Sequence, residues 1–214
     1  MEIYFLSKQQ TADFLGADED GFIQRLTRCD LRARRCLSHD EYRQVSVLSA
    51  DEFTPDEKNN LKLFCREANR RFTDMPNVPW VFAKAQYEGG LPHTRKGVIF
   101  LNGLYETETL VHERVHVYQK MMPSLCREAY RGYVQVSGQD ELYRSNPDTD
   151  SRMWIKDGKV CGKFYNSKNP MSIHDCSQRA RHPLEAQAYA WETSTRRLRT
   201  EPRGPCACAS SRAS

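Results

Sequence analysis

The 214-residue sequence lacks the features that several large classes of protein require. It has no apolar run of about eighteen residues, and its mean hydropathy is −0.75, so a membrane-spanning helix is excluded. It has no glycine-rich phosphate loop, no dinucleotide-binding fingerprint and no serine-centred nucleophile elbow. It has no internal repeats at solenoid periods, and no basic start followed by an apolar core that would mark a secretory signal. We therefore expect an intracellular, soluble protein.

Cysteine is present but is not arranged for a zinc finger. The eight cysteines form no C-x-x-C pair and show no finger-like pairing with histidines. Since no secretory signal is expected, the thiols are predicted to be reduced.

The formal net charge of +4 is confined to the C-terminus. Residues 195–214 hold five arginines and one acidic residue, whereas residues 1–194 are formally neutral. This segment is rich in Pro, Ser, Ala and Arg and has little to bury, so a disordered basic tail is predicted. A solvated terminus is the simpler interpretation, and weak binding of nucleic acid through residues 195–214 is the alternative. No membrane partner is expected.

Periodicity and turn residues predict an α+β domain over residues 1–194. Residues 1–76 are predicted to be a helical portion. Its clearest helix begins at Thr54-Pro55-Asp56-Glu57, with a cap, a proline and two acids in the first turn. The pattern in residues 77–194 predicts the following elements: adjacent strands at 78–86 and 97–102, a helix at 106–122, an irregular stretch to about 173, and a last helix from 183 to about 198.

The predicted central helix carries the pattern H-E-x-x-H in residues 112–116. Because four residues make about one helical turn, His112 and His116 are expected to lie on one face, where two imidazoles can bind one Zn²⁺. Glu113 projects beside the metal. It is the predicted general base, which takes a proton from water and passes it to a leaving amine. The alternative is a buried helix with two hydrogen-bonded histidines and a surface glutamate.

A zinc hydrolase needs a third protein ligand and an open position for water. A third histidine six residues after the second is absent, which disfavours the metzincin pattern. We favour Glu185, because the alanines that follow it in alternate positions permit close approach of another helix. The competing interpretation is that Glu185 only stabilises the helix N-terminus. The other candidate ligands lie downstream of the motif: Glu128, Glu141, Asp148, Asp150, His174, Asp175 and His182.

The H-E-x-x-H pattern followed by the E-x-x-A-Y sequence of residues 185–189 resembles the gluzincin branch of zinc metallopeptidases. The chain is also similar to a set of zincins from algae and large DNA viruses. That likeness covers about a third of the chain and is carried by three segments: Leu91-Pro92-His93-Thr94-Arg95, Ser145-Asn146-Pro147-Asp148 and His182-Pro183-x-Glu185. A thermolysin-like N-E-x-x-x-D pattern is missing.

The resemblance implies a zincin-like fold, in which a small mixed sheet packs on the active-site helix. It implies one Zn²⁺ per chain, bound by His112, His116 and Glu185, with Glu113 as general base in a zinc-dependent metallopeptidase. The partner would be a peptide or protein substrate that pairs with an edge strand at residues 91–95 or 97–101. Candidate donors to an oxyanion are also present in the sequence: Tyr189, Tyr165, His93 and His182.

Two other functions are compatible with the sequence. One is a zincin-fold binding protein without catalytic activity. The other is a nucleic-acid-associated protein that uses the basic C-terminal tail. Residues 146–150 resemble a calcium loop, but an Asx-type turn is the preferred interpretation because the remaining EF-hand ligands are missing.

Overall fold

The computed structural model describes residues 1–138 and 140–200, with side chains as far as residue 193. These residues form an α+β fold, which confirms the predicted class at that level. The helices are Lys8–Ala17 (α1), Arg28–Ala33 (α2), His39–Leu48 (α3), Pro55–Asn69 (α4), Thr107–Met121 (α5), Pro123–Ala129 (α6) and Pro183–Thr200 (α7). The strands are Ile3–Phe5 (β1), Ala50–Asp51 (β2), Trp80–Ala85 (β3), His93–Arg95 (β4), Val98–Leu101 (β5), Val134–Gln135 (β6), Trp154–Lys156 (β7), Lys159–Tyr165 (β8) and Cys176–Ala180 (β9).

The larger sheet is mixed and is built around β3. β3 pairs in parallel with β1 on one side and with β5 on the other, with Ala83 opposite Phe100. β2 also pairs with β3, in the antiparallel direction, and β4 pairs antiparallel with β5. The two predicted strands are therefore confirmed as neighbours, and β4 forms an edge of this sheet.

Alternate residues of β3 and β5 enter two different hydrophobic cores. One core lies between the sheet and helices α4, α5 and α7, and the other lies on the opposite face with α1 and α3. Because both faces are covered, the two strands are apolar almost throughout, as buried strands are. The first core receives Trp80, Phe82, Ile99 and Leu101, and the second receives Ala83, Ala85, Val98 and Phe100.

Helix α5 is anchored beside the sheet by a buried arginine. The Nη1 atom of Arg114 donates to the carbonyl of Pro79 at 2.8 Å, and Nη2 donates to the carbonyl of Val78. The guanidinium also lies 4.4 Å from the centre of the Trp80 ring. Arg114 is two residues from each histidine of the motif, about 200° around a helix, so this anchor turns both histidines toward the other side of α5.

The chain after α5 differs from the predicted irregular stretch. It contains α6 and an antiparallel sheet in the order β6-β7-β8-β9. A bulge interrupts the pairing of β8 and β9 between Gly162 and Lys163. Gly162 has φ +131°, and a Cβ atom there would lie 2.4 Å from Tyr143 Cε2, so the bulge requires glycine.

Residues 1–76 are mainly helical, as predicted, but they also supply β1 and β2 to the larger sheet. Capping boxes at Ser7, Thr27 and Thr54 begin α1, α2 and α4. The buried side chain of Arg34, just after α2, bonds Glu88 near β4 with an Nε–Oε1 distance of 2.7 Å. The N-terminal helices are thus joined to the rest of the fold by strand pairing and by buried charge.

The C-terminal helix is found where it was predicted. α7 spans Pro183–Thr200, against a predicted end at about residue 198, so residues 195–200 of the predicted basic tail are helical. The remainder of the predicted basic tail, residues 201–214, lies outside the described residues. In the described part of the chain, no helix combines the length and apolarity needed to cross a bilayer.

Candidate metal centre

The two histidines of the H-E-x-x-H motif meet on one face of α5. The Nε2 atoms of His112 and His116 lie 3.1 Å apart, as the one-turn spacing predicts. His116 is fully buried, whereas the His112 side chain is partly exposed. The motif therefore presents two ring nitrogens to one point in space.

Glu185, in the first turn of α7, brings a carboxylate to the same point. Its Oε2 atom lies 3.3 Å from Nε2 of His112, and its Oε1 atom lies 3.8 Å from Nε2 of His116. The Asn146 amide donates to Oε1 at 2.6 Å and so orients the carboxylate. These three side chains form a group that can hold a metal ion, with ligand atoms within 4.8 Å of one another. We call it the His–His–Glu cluster (His112, His116 and Glu185).

Each histidine is oriented through its other ring nitrogen. Nδ1 of His112 lies 3.3 Å from Oε2 of Glu192, two turns beyond Glu185 on α7. Nδ1 of His116 lies 2.7 Å from Oε1 of Gln119. Because both partners are acceptors, each Nδ1 carries a proton, and an unprotonated Nε2 is left for a metal.

Two hydrogen-bond acceptors on α7 fix the orientation of the Gln119 amide. Its Nε2 atom donates to the carbonyl of Leu184 at 3.0 Å and to Oε1 of Gln187 at 2.8 Å. Since the amide nitrogen has two acceptors, its oxygen is turned toward His116. Helix α7 therefore orients both histidines in addition to supplying the carboxylate.

The electrostatics of the cluster favour a bound cation. Burial lowers the pKa of His116 to about 3. Burial also lowers the pKa of His112, but the hydrogen bond with Glu185 and the negative charges of Glu113 and Glu185 outweigh it and raise that pKa to about 9. Burial raises the pKa of Glu185, but the two histidines lower it overall. Without a metal, the cluster holds one proton between its nitrogens and its carboxylate, and a divalent cation can replace that proton.

Glu113 is buried beside the cluster, with 3% of its surface exposed. The Thr94 hydroxyl, on the edge strand β4, donates to Oε2 of Glu113 at 2.8 Å. No hydrogen bond reaches Oε1 from the described residues, so this oxygen is available to a ligand. Burial raises the pKa of the Glu113 carboxyl, which makes it a stronger base than an exposed glutamate.

A buried polar network that includes Thr94, Asp148 and Lys120 lies next to Glu113. The backbone N–H of Thr94 donates to Oδ1 of Asp148 at 2.6 Å, and Nζ of Lys120 donates to the carbonyl of Pro147 at 3.0 Å. Burial, together with the charge of Glu113, raises the pKa of Asp148 well above its usual value. The backbone N–H of Asp148 donates to Oδ1 of Asn146 at 3.1 Å, which confirms the predicted Asx-type turn.

A cleft of about 350 Å³ opens above the cluster. A smaller cavity of about 120 Å³ adjoins it toward the second sheet. The lining of the cleft includes His112, Glu113 and Glu185, and also Leu91 and Pro92 of the chain that leads into β4. The two cavities share Arg144, Asn146, Lys163 and Glu185.

The structure does not bring the other candidate ligands into the cluster. His182 is buried against Asp150, with Nε2 3.2 Å from Oδ1, and its Nδ1 accepts the N–H of Leu184 at the start of α7. Asp148 is held by Thr94. The remaining candidates, Glu128, Glu141, His174 and Asp175, are absent from the metal-binding group found among the described residues.

The candidate donors to an oxyanion are engaged elsewhere. His93 lies between the Leu91 carbonyl at 2.9 Å and the Tyr87 hydroxyl at 2.6 Å, and burial lowers its pKa to about 4. The Tyr165 hydroxyl donates to Asp30 at 3.0 Å. His182 pairs with Asp150, as described above. Tyr189 is exposed, and its ring lies beneath the Arg181 guanidinium.

The structure corrects one of the two expected substrate edges. β5 lies between β3 and β4, so residues 97–101 have no open side to pair with a peptide. β4 is an edge strand, but the N–H of Thr94 already donates to Asp148 and so is not free to pair with a peptide. The part of this segment that faces the cleft is Leu91, Pro92 and His93.

Several residues around the cluster were not identified from the sequence. Gln119 follows His116 by three residues on the same helix, and Glu192 follows Glu185 by seven, so helical spacing offered a signal for both. Thr94 and Asn146 lie in two of the segments that carry the resemblance, but the sequence assigned neither of them a role. Arg144 reaches the site through contacts between distant segments, and no local pattern marks it.

Comparison of the chain with models of known protein families, with curated proteins and with solved structures gives no match.

Proposed function

We propose that the protein is a zinc-dependent metallopeptidase of the gluzincin type, with a zincin-like fold. The observation that carries the proposal is the convergence of His112, His116 and Glu185 on one point at the base of a cleft, with Glu113 buried beside them. The mixed sheet that packs on α5 supports the fold assignment, since zincin helices lie beneath such a sheet.

The donor set fits zinc. Two imidazole nitrogens and one carboxylate form the three-ligand set of catalytic zinc sites, which leaves a fourth position open. Calcium and magnesium prefer sites made only of oxygen ligands, so the paired histidines disfavour both. The partners of the two Nδ1 atoms, Glu192 and Gln119, complete the outer support that such sites use.

When bound, zinc supplies a Lewis acid that acidifies water and polarises the scissile carbonyl. Glu113 acts as the base: Oε1 accepts the proton of the attacking water, while the Thr94 hydroxyl holds Oε2 in place. Once it is protonated, Glu113 donates the proton to the leaving amine and returns to its charged state. Burial favours this cycle, because it raises the pKa of the carboxyl.

The first experiment measures zinc. The protein is purified without chelators or a histidine tag, and metal content is determined by elemental analysis. We expect one zinc per wild-type chain and a strong reduction in Glu185→Gln. Glu128→Gln is the matched control, because Glu128 is an exposed glutamate outside the cluster. A metal-free wild type, or equal zinc in both variants, would contradict the proposal.

The second experiment separates catalysis from metal binding. Glu113→Gln keeps the size of the side chain and removes the base, so we expect bound zinc to remain and peptide hydrolysis to fall by about a hundredfold or more. Hydrolysis of a quenched fluorescent peptide library gives the rate. If Glu113→Gln cleaves peptides as fast as wild type, the proposed mechanism is wrong. If wild type binds zinc but cleaves no peptide, the protein is a zincin-fold binding protein.

A further inference from the structure

Arg144 is a buried cation for which the described part of the chain supplies no partner. Only 6% of its surface is exposed, its Nε atom has no hydrogen-bond partner, and no ion pair or side-chain hydrogen bond of Arg144 exists among the described residues. A guanidinium stays charged at any physiological pH, and burying an unpaired charge is costly. A buried charge of this kind is expected where a ligand completes the pairing.

The other arginines with buried side chains show what Arg144 lacks. Arg34 binds Glu88, Arg95 bonds Asp18 with an Nη2–Oδ1 distance of 2.7 Å, and Arg114 donates to two backbone carbonyls. Each of these guanidiniums is therefore compensated within the fold, whereas the residues that the structure describes offer Arg144 no such partner.

The position of Arg144 places it in the candidate active site. It lines the cleft that contains His112 and Glu113, and also the smaller adjoining cavity. Its backbone N–H donates to the carbonyl of Lys163 at 2.9 Å, next to the bulge at Gly162. Lys163 lines both cavities too, so the lining of the cleft, which includes Glu113 and Glu185, also carries two positive charges.

We propose that Arg144, assisted by Lys163, binds a carboxylate of the substrate peptide while the scissile bond lies at the His–His–Glu cluster. This inference rests on the proposed peptidase function and names its substrate class. A carboxylate matches the planar fork of a guanidinium, and the pairing is strongest where water is excluded. The carboxylate is either the C-terminus of the peptide or an acidic side chain, and both present the same group to Arg144.

The test uses matched peptides on zinc-loaded full-length protein. One peptide has neutral side chains and a free C-terminus, and a second has the same sequence with a C-terminal amide. Further amidated peptides carry Glu, or Gln as the control, at successive positions on each side of the cleaved bond. We expect wild type to prefer one carboxylate-bearing peptide over its neutral partner by about tenfold or more in KM. A preference for the free C-terminus identifies an exopeptidase, and a preference for Glu identifies a side-chain subsite.

Arg144→Gln is expected to abolish this preference, and Arg144→Lys to retain part of it. Arg152→Gln is the control, because Arg152 lies in the same segment but is exposed and lines neither cavity. The melting temperature of Arg144→Gln should equal or exceed that of wild type, since an unpaired buried charge is removed. If Arg144→Gln keeps the preference, or lowers kcat equally for all peptides, the inference is overturned.

Peptide binding separates this inference from the proposed function. The same peptides, labelled for fluorescence anisotropy, are titrated into zinc-loaded Glu113→Gln and into Glu113→Gln/Arg144→Gln. Tighter binding of the carboxylate peptide that depends on Arg144 supports the carboxylate site, even if wild type cleaves nothing and the peptidase proposal fails. Equal binding by the two proteins overturns the carboxylate site, even if wild type is an active peptidase.

Discussion

At the scale of single residues, the centre depends on which nitrogen of each histidine carries the proton. Glu192 accepts from Nδ1 of His112, and Gln119 accepts from Nδ1 of His116. Both contacts direct Nε2 toward Glu185. The carboxylate of Glu192 also increases the basicity of His112, and a more basic imidazole is a better ligand. The support around the cluster should therefore contribute measurably to metal affinity.

We predict that Glu192→Gln weakens zinc binding by about 10–100-fold, because it removes this charge without removing a ligand. Competition with a chelating dye measures the affinity. Glu185→Gln, which removes a ligand, should have the larger effect, and Glu128→Gln should have none. An unchanged affinity in Glu192→Gln would show that the contact at 3.3 Å does not support the metal.

The sequence allowed prediction of the residues whose placement depends on helical spacing. His112, Glu113 and His116 follow from the motif, and the structure brings Glu185 to the two histidines. The segments that contain Thr94 and Asn146 were singled out by the resemblance, but the roles of the two residues could not be predicted, because they reach the site only when β4 and the chain between β6 and β7 pack around α5 and α7. The sequence also could not show that Arg144 has no partner among the described residues, since this depends on which neighbours surround it in three dimensions.

At the scale of elements, the close packing of α5 and α7 positions the cluster. Ala188 of α7 is fully buried in the same core as Leu110, Val111 and Val115 of α5. Glu185 lies three residues before Ala188, so the separation of the two helices at this alanine sets the position of the carboxylate relative to the histidines.

We predict that Ala188→Leu lowers the free energy of unfolding by about 1–3 kcal/mol, because the added methylenes force the helices apart. Zinc affinity should fall in parallel, because Glu185 moves with α7. Ala190→Leu is the matched control: it lies two residues further on and is exposed, so its effect should stay within about 0.5 kcal/mol. Urea unfolding and dye competition measure the two quantities. A destabilised Ala188→Leu that retained wild-type zinc affinity would contradict the link between helix packing and the site.

The elements that could be predicted are those with a strong local pattern. β3 and β5 are apolar runs bounded by glycine or proline, and α4 begins with a capping box, so local sequence determines all three. The second sheet was missed because its strands lack such a pattern: β6 is exposed, and β8 contains lysines and Gly162. Their pairing depends on contacts between segments, which sequence periodicity does not reveal.

At the scale of the whole molecule, a buried ion pair joins the N-terminal helices to the segment that leads into β4. Glu88 accepts from Nε of Arg34 at 2.7 Å and from Nη2 at 2.6 Å, and the Tyr42 hydroxyl also donates to it. Burial raises the pKa of Glu88, but the charge and hydrogen bonds of Arg34 outweigh burial and lower the pKa to about 2. Because Glu88 lines the cleft, this pair connects the stability of the fold to the wall of the site.

This pair should give a defined dependence of stability on pH. The pKa of Glu88 is about 2 in the folded protein, below its ordinary value of 4.5, so its contribution is complete above about pH 4.5 and is lost as the pH falls through 2. We predict that Glu88→Gln lowers the free energy of unfolding at pH 7 by about 3–5 kcal/mol, as expected for breaking a buried pair. The difference in free energy of unfolding between wild type and Glu88→Gln should decrease by roughly 2 kcal/mol as the pH falls from 7 to 3. Urea unfolding across this range measures it. When Glu88→Gln is compared with its parent in an Arg34→Gln background, this decrease should be much smaller, because Arg34 is the charge that holds the pKa of Glu88 low. A decrease of the same size in that background would show that another group is responsible.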